Sequence, residues 1–317
     1  MNDSRSVLLV QLPVPPPGPG ILEGNEPLAA AYLKLYALRQ ELDASYQIDV
    51  LPPSLANTLG DQGLIREILS REPWMVSFSC YLWNIERSLW ISQKLKESRP
   101  ELLIVLGGPE ITSDNPLALG GDLRPMGGRR QIDNLPHQQV DLLHGHSDHL
   151  RHSTPVDYAI FGEGEQTFAE LLQSLSERKG ATALGASAGP EIAGLWQPRQ
   201  PSPPPRATLP NLDSISSPYV EGILDLSDSR MLLETARGCR FRCRYCYYPK
   251  GDRTQRCLSA EQVLSNLAYA DAHGAKEVVL LDPTLNQRAD FVEFLRLLRR
   301  GNPSGRLRFS GELRAEG

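Results

Sequence analysis

Three cysteines fall in the short run Arg237-Gly238-Cys239-Arg240-Phe241-Arg242-Cys243-Arg244-Tyr245-Cys246. Iron–sulfur clusters are built on cysteine thiolates. A C-x-x-x-C-x-x-C loop can hold three irons of a cubane and leave the fourth without a protein ligand. An iron left open can be chelated by a small molecule. The rival chemistry is a structural zinc site with Cys257 as fourth ligand. Zinc sites usually pair two C-x-x-C-like knuckles, whereas here one compact loop is followed by a single distant cysteine. Cys257 and Cys80 read more simply as small buried apolar residues. The cysteine total is five, an odd number that suits a metal site in a reducing compartment better than a disulfide framework.

The elements that must position this loop form the second of two α/β regions. Strand Met231–Ala236 leads into it. A helix follows from a capping box at Ser259 and Gln262, then strand Glu277–Leu281. Next come a helix carrying Phe291, Phe294, Leu295 and Leu298 and a strand over Leu307–Glu312.

The front of the chain alternates short β-rich runs with segments of helical period, the signature of a parallel sheet covered by helices. The strands are expected at Val7–Leu12, Ile48–Leu51, Met75–Ser79, Leu102–Leu106 and Tyr158–Phe161. The helices are marked by Leu28, Tyr32, Leu35 and Leu42; by Leu64, Ile65, Ile68 and Leu69; by Ile85, Leu89 and Leu95; and by Phe168, Leu171, Leu172 and Leu175. Such an order suits a doubly wound, flavodoxin-like (Rossmann-like) sheet, which binds ligands outside the carboxyl ends of its strands. The loops at those ends are unusual. They read Pro13 to Gly20, Ser79-Cys80-Tyr81-Leu82-Trp83-Asn84, Gly107-Gly108-Pro109-Glu110 and Gly162-Glu163-Gly164-Glu165. Glycines let backbone approach a large flat ligand and aromatics offer it apolar surface.

The sequence divides into residues 1–178, a connector at 179–229 rich in Pro, Ser, Gly and Ala, and residues 230–317. A polar insertion at about 115–154 holds His137, His144, His146, His149 and His152 and reads as a solvated loop rather than a metal site. The formal charge of −5 and pI near 5.8 give no footprint for nucleic acid or anionic membrane, which leaves small molecules as ligands. The polar start and the lack of a long apolar run predict a cytoplasmic protein.

Several of these motifs, in this order, resemble the cobalamin-dependent radical S-adenosylmethionine (SAM) family. They are the cysteine loop with Tyr245 before its last cysteine, the three loops after the third, fourth and fifth strands, Leu209-Pro210-Asn211-Leu212-Asp213, Ser217-Pro218-Tyr219, Asp282-Pro283-Thr284-Leu285-Asn286 and Glu312-Leu313-Arg314. The resemblance implies a 4Fe-4S cluster on Cys239, Cys243 and Cys246, with SAM on its open iron. It implies Tyr245, Asp282, Asn286 and Glu312 as SAM contacts. Cobalamin would sit against Ser79, Cys80, Tyr81, Trp83, Gly107, Gly108, Glu110, Gly162, Glu163, Gly164 and Glu165. The implied reaction is reductive cleavage of SAM, most commonly for methyl transfer to an unactivated atom of a small-molecule or peptide substrate. A flavodoxin- or ferredoxin-type donor would supply the electrons.

The departures are informative. No Asp-x-His-x-x-Gly follows the first strand, so cobalt is expected without a histidine below it. Arg240 stands where a proline is common. Arg237, Arg240, Arg242 and Arg244 could raise the cluster's potential or dock an acidic donor, or simply form a solvated basic loop. Cys80 stands alone, unlike the second cysteine set of methylthiotransferases. The family's partial (β/α) barrel continues beyond a third strand, where this sequence stops, so a fragment or a non-catalytic corrinoid- and cluster-binding module is the alternative.

Overall fold

The computed structural model describes residues 4–14, 25–112, 115, 155–177, 191–198, 200–226, 229–241, 243–244, 246, 248 and 253–315. The chain divides into two compact units, Met1–Asn25 with Asp43–Arg206, and Glu26–Leu42 with Ala207–Gly317.

In the first unit, strands β1 (Arg5–Gln11), β2 (Tyr46–Val50), β3 (Met75–Ser79), β4 (Leu103–Gly107) and β5 (Tyr158–Ile160) lie in the order β2-β1-β3-β4-β5, all parallel. The runs Val7–Val10 and Leu103–Leu106 are buried throughout, as strands covered on both faces must be. Helices α2 (Pro53–Thr58), α3 (Asp61–Ser70), α4 (Ile85–Ser98) and α5 (Gly164–Glu177) belong to this unit. The helix expected around Leu28 and Leu35 forms as α1 (Leu28–Arg39), yet it belongs to the second unit, where Leu28 and Ala31 enter a core with Met231, Leu267 and Val278. A helical period fixes an apolar face but not which core receives it.

The stretch expected as an extended connector is partly built in. Leu195–Trp196 forms β6, antiparallel to β5, where Phe161 N donates to Gly194 O at 2.8 Å. Leu209, Leu212, Ile215, Tyr219 and Leu224 are buried in the second unit. Proline-rich composition reported backbone stiffness and missed these spaced apolar residues.

The second unit has a parallel sheet of β7 (Arg230–Leu233), β10 (Glu277–Leu280) and β11 (Arg308–Gly311), in the order β11-β10-β7. Helix α6 (Ala260–Ala272) joins β7 to β10, and α7 (Phe291–Arg300) joins β10 to β11. Half of the expected capping box forms. Ser259 Oγ accepts from Gln262 N at 3.2 Å, while Ser259 N donates to Asp213 Oδ1 at 2.9 Å instead of to a glutamine side chain. The strand expected over Met231–Ala236 breaks after Leu233, and Ala236–Arg237 becomes β8, paired antiparallel with β9 (Arg256–Cys257). Leu295 on α7 is 45% exposed, and Leu297 is buried with Phe294 and Leu298 instead. Among the described residues no helix is long and apolar enough to cross a membrane.

Candidate metal centre and cofactor loops

The cysteine loop lies between β8 and β9, in the second unit. It leaves β8 through Gly238 at φ +91°, where an added Cβ would lie 2.2 Å from Thr254 O. Only glycine fits both the backbone angle and the space. Along the loop Cys239 is buried, Cys243 half-buried and Cys246 exposed. Cys246 N donates to Cys243 O at 3.1 Å, which folds the C-x-x-C half into a turn.

Buried side chains on the segment after β10 hold the start of this loop. Asp282, 1% exposed, accepts from Thr235 N at 2.7 Å, Thr235 Oγ1 at 2.5 Å and Ala236 N at 3.0 Å. Burial pushes its carboxyl above the usual range, against the pull of those donors and of the Arg288 guanidinium. Gln287, also buried, donates from Nε2 to Gly238 O at 2.9 Å and accepts at Oε1 from Arg240 N at 3.1 Å. Asn286 brackets Arg314, donating to its O at 2.8 Å and accepting from its N at 3.0 Å. Leu285 N donates to Glu312 O at 2.8 Å. Arg314 in turn points Nη1 at Cys243 Sγ, 3.5 Å away, with its guanidinium 4.1 Å from the centre of the Phe241 ring.

Three thiols on a loop with an obligatory glycine at its root suit an iron–sulfur cluster in kind and number. Among the described residues no three His, Cys, Asp or Glu side chains are gathered closely enough to hold a metal ion. Cys257 is exposed rather than buried, on the two-residue strand β9.

In the first unit the loops after β3 and β4 interlock. Cys80 N donates to Gly107 O at 2.6 Å and Glu110 N to Cys80 O at 3.2 Å. Gly108, at φ +106°, lies so close that a Cβ would be 2.5 Å from Cys80 O. Cys80 is fully buried, as expected, and burial pushes its thiol up to about 12. Asn84, which closes the Ser79–Asn84 motif, organises the loop from inside. It is 1% exposed and donates to Leu12 O at 2.9 Å and Ser79 O at 3.2 Å, while accepting from Tyr81 N at 2.7 Å. It thus joins the ends of β1 and β3. Tyr81 and Trp83 stack in parallel, their centroids 4.7 Å apart, beside the 78%-exposed Leu82. Beyond β5, Gly162 takes φ +78° and Glu165 is buried at the start of α5.

The Radical SAM superfamily profile matches residues 233–313, which include all three loop cysteines and the segment that holds them. Over these residues the chain is similar to the radical SAM superfamily.

Two curated relatives extend beyond it. The cobalamin-dependent radical SAM methyltransferase TokK of Streptomyces tokunonensis is 26% identical over 271 residues, covering 81% of this chain and 33% of its own length. The 2-(S-pantetheinyl)-carbapenam-3-carboxylate methyltransferase of Streptantibioticus cattleyicolor is 25% identical over 72% of this chain and 30% of its own. The chain therefore spans about a third of the length of these relatives. Among solved structures, the cobalamin-dependent SAM radical enzyme OxsB shares the fold at a TM-score of 0.62 and 18% identity, over 98% of this chain and 38% of that one. TsrM of Kitasatospora setae does so at 0.57 and 18%, over 96% and 54%.

Within the matched segment, the structure brings the Asp282 carboxylate onto β8's entrance and the Asn286 amide onto Arg314, both engaged by the chain itself. Glu312 is exposed beyond β11. Tyr245 and the five histidines of the insertion lie outside the described residues, as does most of the loop after β1. Gln287 was not foreseen. Its signal was its place directly after the Asp282–Asn286 motif.

Proposed function

We propose that this chain is a cobalamin-dependent radical SAM protein acting in methyl transfer to an unactivated atom of a small-molecule or peptide substrate. The observation that carries the reading is the loop of Cys239, Cys243 and Cys246 inside the matched segment. These residues would hold a 4Fe-4S cluster, with Tyr245 and Glu312 reaching SAM and Asp282 and Asn286 shaping its site. When bound, the cluster supplies the electron that cleaves SAM to methionine and a 5′-deoxyadenosyl radical, and cobalamin supplies a methyl carrier. The chain's own residues anchor the loop root at Gly238, tie it to β10 through Asp282 and Gln287, and place a cation beside Cys243.

The first unit serves as a flavodoxin-like cobalamin-binding domain. Its strand order and the interlocked loops at Ser79, Cys80, Gly107, Gly108 and Glu110 support that assignment. Tyr81 and Trp83 offer a stacked aromatic platform, and Gly162 to Glu165 complete the row of strand-end loops. TsrM has been solved with cobalamin and a 4Fe-4S cluster bound, and with tryptophan as substrate. The parallel β7-β10-β11 sheet with its crossover helices is the first part of a (β/α) barrel. A flavodoxin- or ferredoxin-type donor and a cytoplasmic setting go with this reading, and nucleic acid does not.

A second reading, a corrinoid- and cluster-binding module without turnover, needs only the thiol loop and the interlocked strand-end loops. One experiment separates the two. Anaerobically reconstituted protein is expected to hold about four irons and four sulfides with little zinc, to retain hydroxocobalamin on a desalting column, and to release 5′-deoxyadenosine from SAM under a strong reductant. Both cofactors without cleavage would establish the module, and zinc as the dominant metal would end both readings.

A further inference from the structure

Gln287 stands on a short 3-10 turn, Leu285–Gln287, directly after β10. Its primary amide reaches both sides of Cys239: Nε2 donates to the carbonyl of the residue before it, Gly238, at 2.9 Å, and Oε1 accepts from the amide of the residue after it, Arg240, at 3.1 Å. Both groups are main-chain atoms beyond the end of β8 at Arg237, in a segment that has no ladder partner among the described residues. A primary amide carries N–H donors and a carbonyl acceptor on one planar head, which is the chemistry that can satisfy a carbonyl and an amide two residues apart. Gln287 is 6% exposed, so the geometry is held by packing and not by a solvated contact.

The remaining groups of the turn point the same way. Leu285 N is bonded to Glu312 O, and Asn286 brackets Arg314, whose guanidinium reaches Cys243. One turn after β10 therefore holds Cys239 from one side and the Cys243 neighbour from the other.

We propose that Gln287 is a positioning residue for the cluster: its amide sets the path of the chain through Cys239, the most buried loop cysteine, and so orients that thiolate toward iron. The inference rests on the assignment of Cys239, Cys243 and Cys246 as cluster ligands. Its effect is exerted through main chain, so it needs no contact with iron, sulfide or SAM. Glutamate at this place would keep an acceptor for Arg240 N, lose the donor to Gly238 O and bring negative charge beside Cys239. Alanine would lose both bonds.

The test uses the full chain, reconstituted anaerobically. Wild type, Gln287→Ala and Gln287→Glu are challenged with an iron chelator, and the midpoint potential and the electron paramagnetic resonance spectrum of the reduced cluster are recorded. Gln287→Ala is expected to lose iron on the order of tenfold faster than wild type, the factor that one buried and one part-buried hydrogen bond support, with the melting temperature of the apo-protein lowered by only a few degrees. Gln287→Glu is expected to lower the midpoint potential, because charge beside a cluster disfavours its reduction. Wild-type iron loss in Gln287→Ala together with a wild-type potential in Gln287→Glu would overturn the proposal. An apo-protein melting temperature that falls in step with iron retention would also overturn it, by making Gln287 a residue of the fold alone. If wild type itself takes up zinc or no iron, the cluster assignment fails instead, and the three-sample comparison distinguishes that outcome from failure of the clamp.

Discussion

Cys80 and the cysteines of the 239–246 loop share a side chain and differ in almost everything around it. Cys80 directly follows a fully buried strand, exchanges backbone bonds with Gly107 and Glu110, and has its thiol pushed up to about 12 by burial. The loop cysteines run from buried to exposed on a segment held by Gln287, Asp282 and a glycine root rather than by a ladder. Packing makes the first an inert part of a core. The second set is presented on main chain that other elements steer, which is what a ligand set needs.

The strongest way to break this comparison is to exchange roles by mutation. Cys243→Ala is expected to reduce iron from about four per chain to near zero. Cys80→Ala should leave iron unchanged and cost about 1 kcal/mol of stability in the first unit. Cys257→Ala should also keep the cluster. In the apo-protein, iodoacetamide should modify Cys246 and spare Cys80, since the thiolate is the reactive form. Equal iron loss from Cys80→Ala and Cys243→Ala would erase the distinction.

The two glycines sharpen it. Gly238→Ala would set a Cβ 2.2 Å from Thr254 O, and Gly108→Ala one 2.5 Å from Cys80 O, each at positive φ. Each clash with backbone is expected to cost about 3 kcal/mol or more. Their readouts should part. Gly238→Ala loses iron with cobalamin retained, and Gly108→Ala loses cobalamin with iron retained. Loss of both cofactors in either variant would show that the two sites do not behave as separate settings.

Much of this was legible because it depends on local chemistry. The five parallel strands of the first unit could be read from apolar runs, and β3 spans Met75–Ser79 as expected. The metal-binding residue types were visible in the spacing of Cys239, Cys243 and Cys246. What the sequence hid were relations between distant segments. Helix α1 carries a plain helical period but packs in the second unit, and Cys257 looks like a core cysteine until β9 proves to be a two-residue strand. Asp282 was read as a contact for SAM, and its carboxylate is met by three donors from Thr235 and Ala236. Gln287 was invisible because a glutamine has no preferred role until its partners are known.

Asp282 gives a prediction of middle size. Asp282→Ala leaves Thr235 N and Ala236 N buried without an acceptor, a loss of about 2–4 kcal/mol, measurable by denaturant unfolding. The sign of its pH dependence follows from burial. A carboxyl whose folded value is raised contributes stability that is fully present below its unfolded value and lost as pH rises through the raised one. Unfolding free energy measured from acid toward neutral pH should thus fall more in wild type than in Asp282→Ala. A parallel pair of curves would mean that the donors from Thr235 and Ala236 cancel the effect of burial.

The smallest effect belongs to Arg314, and it asks whether the exposed end of the loop is steered as well as the buried one. Its Nη1 lies 3.5 Å from Cys243 Sγ, and the Phe241 ring supports the guanidinium from 4.1 Å. A cation near a ligand sulfur favours the reduced, more negative cluster, so Arg314→Gln is expected to lower the midpoint potential. The side chain is exposed, which limits an ionic interaction to about 0.2–1 kcal/mol, or about 10–40 mV for one electron. Salt should shrink the difference between variant and wild type, because solvent-exposed charges are screened. Asn286→Ala, which frees the Arg314 backbone without touching its charge, should give part of the same shift. Iron content should not change in either variant, because neither removes a thiolate. A potential that stays at the wild-type value in Arg314→Gln at low salt would show that Cys243 is set by its turn with Cys246 alone, and that the steering seen at Cys239 stops short of the loop's exposed end.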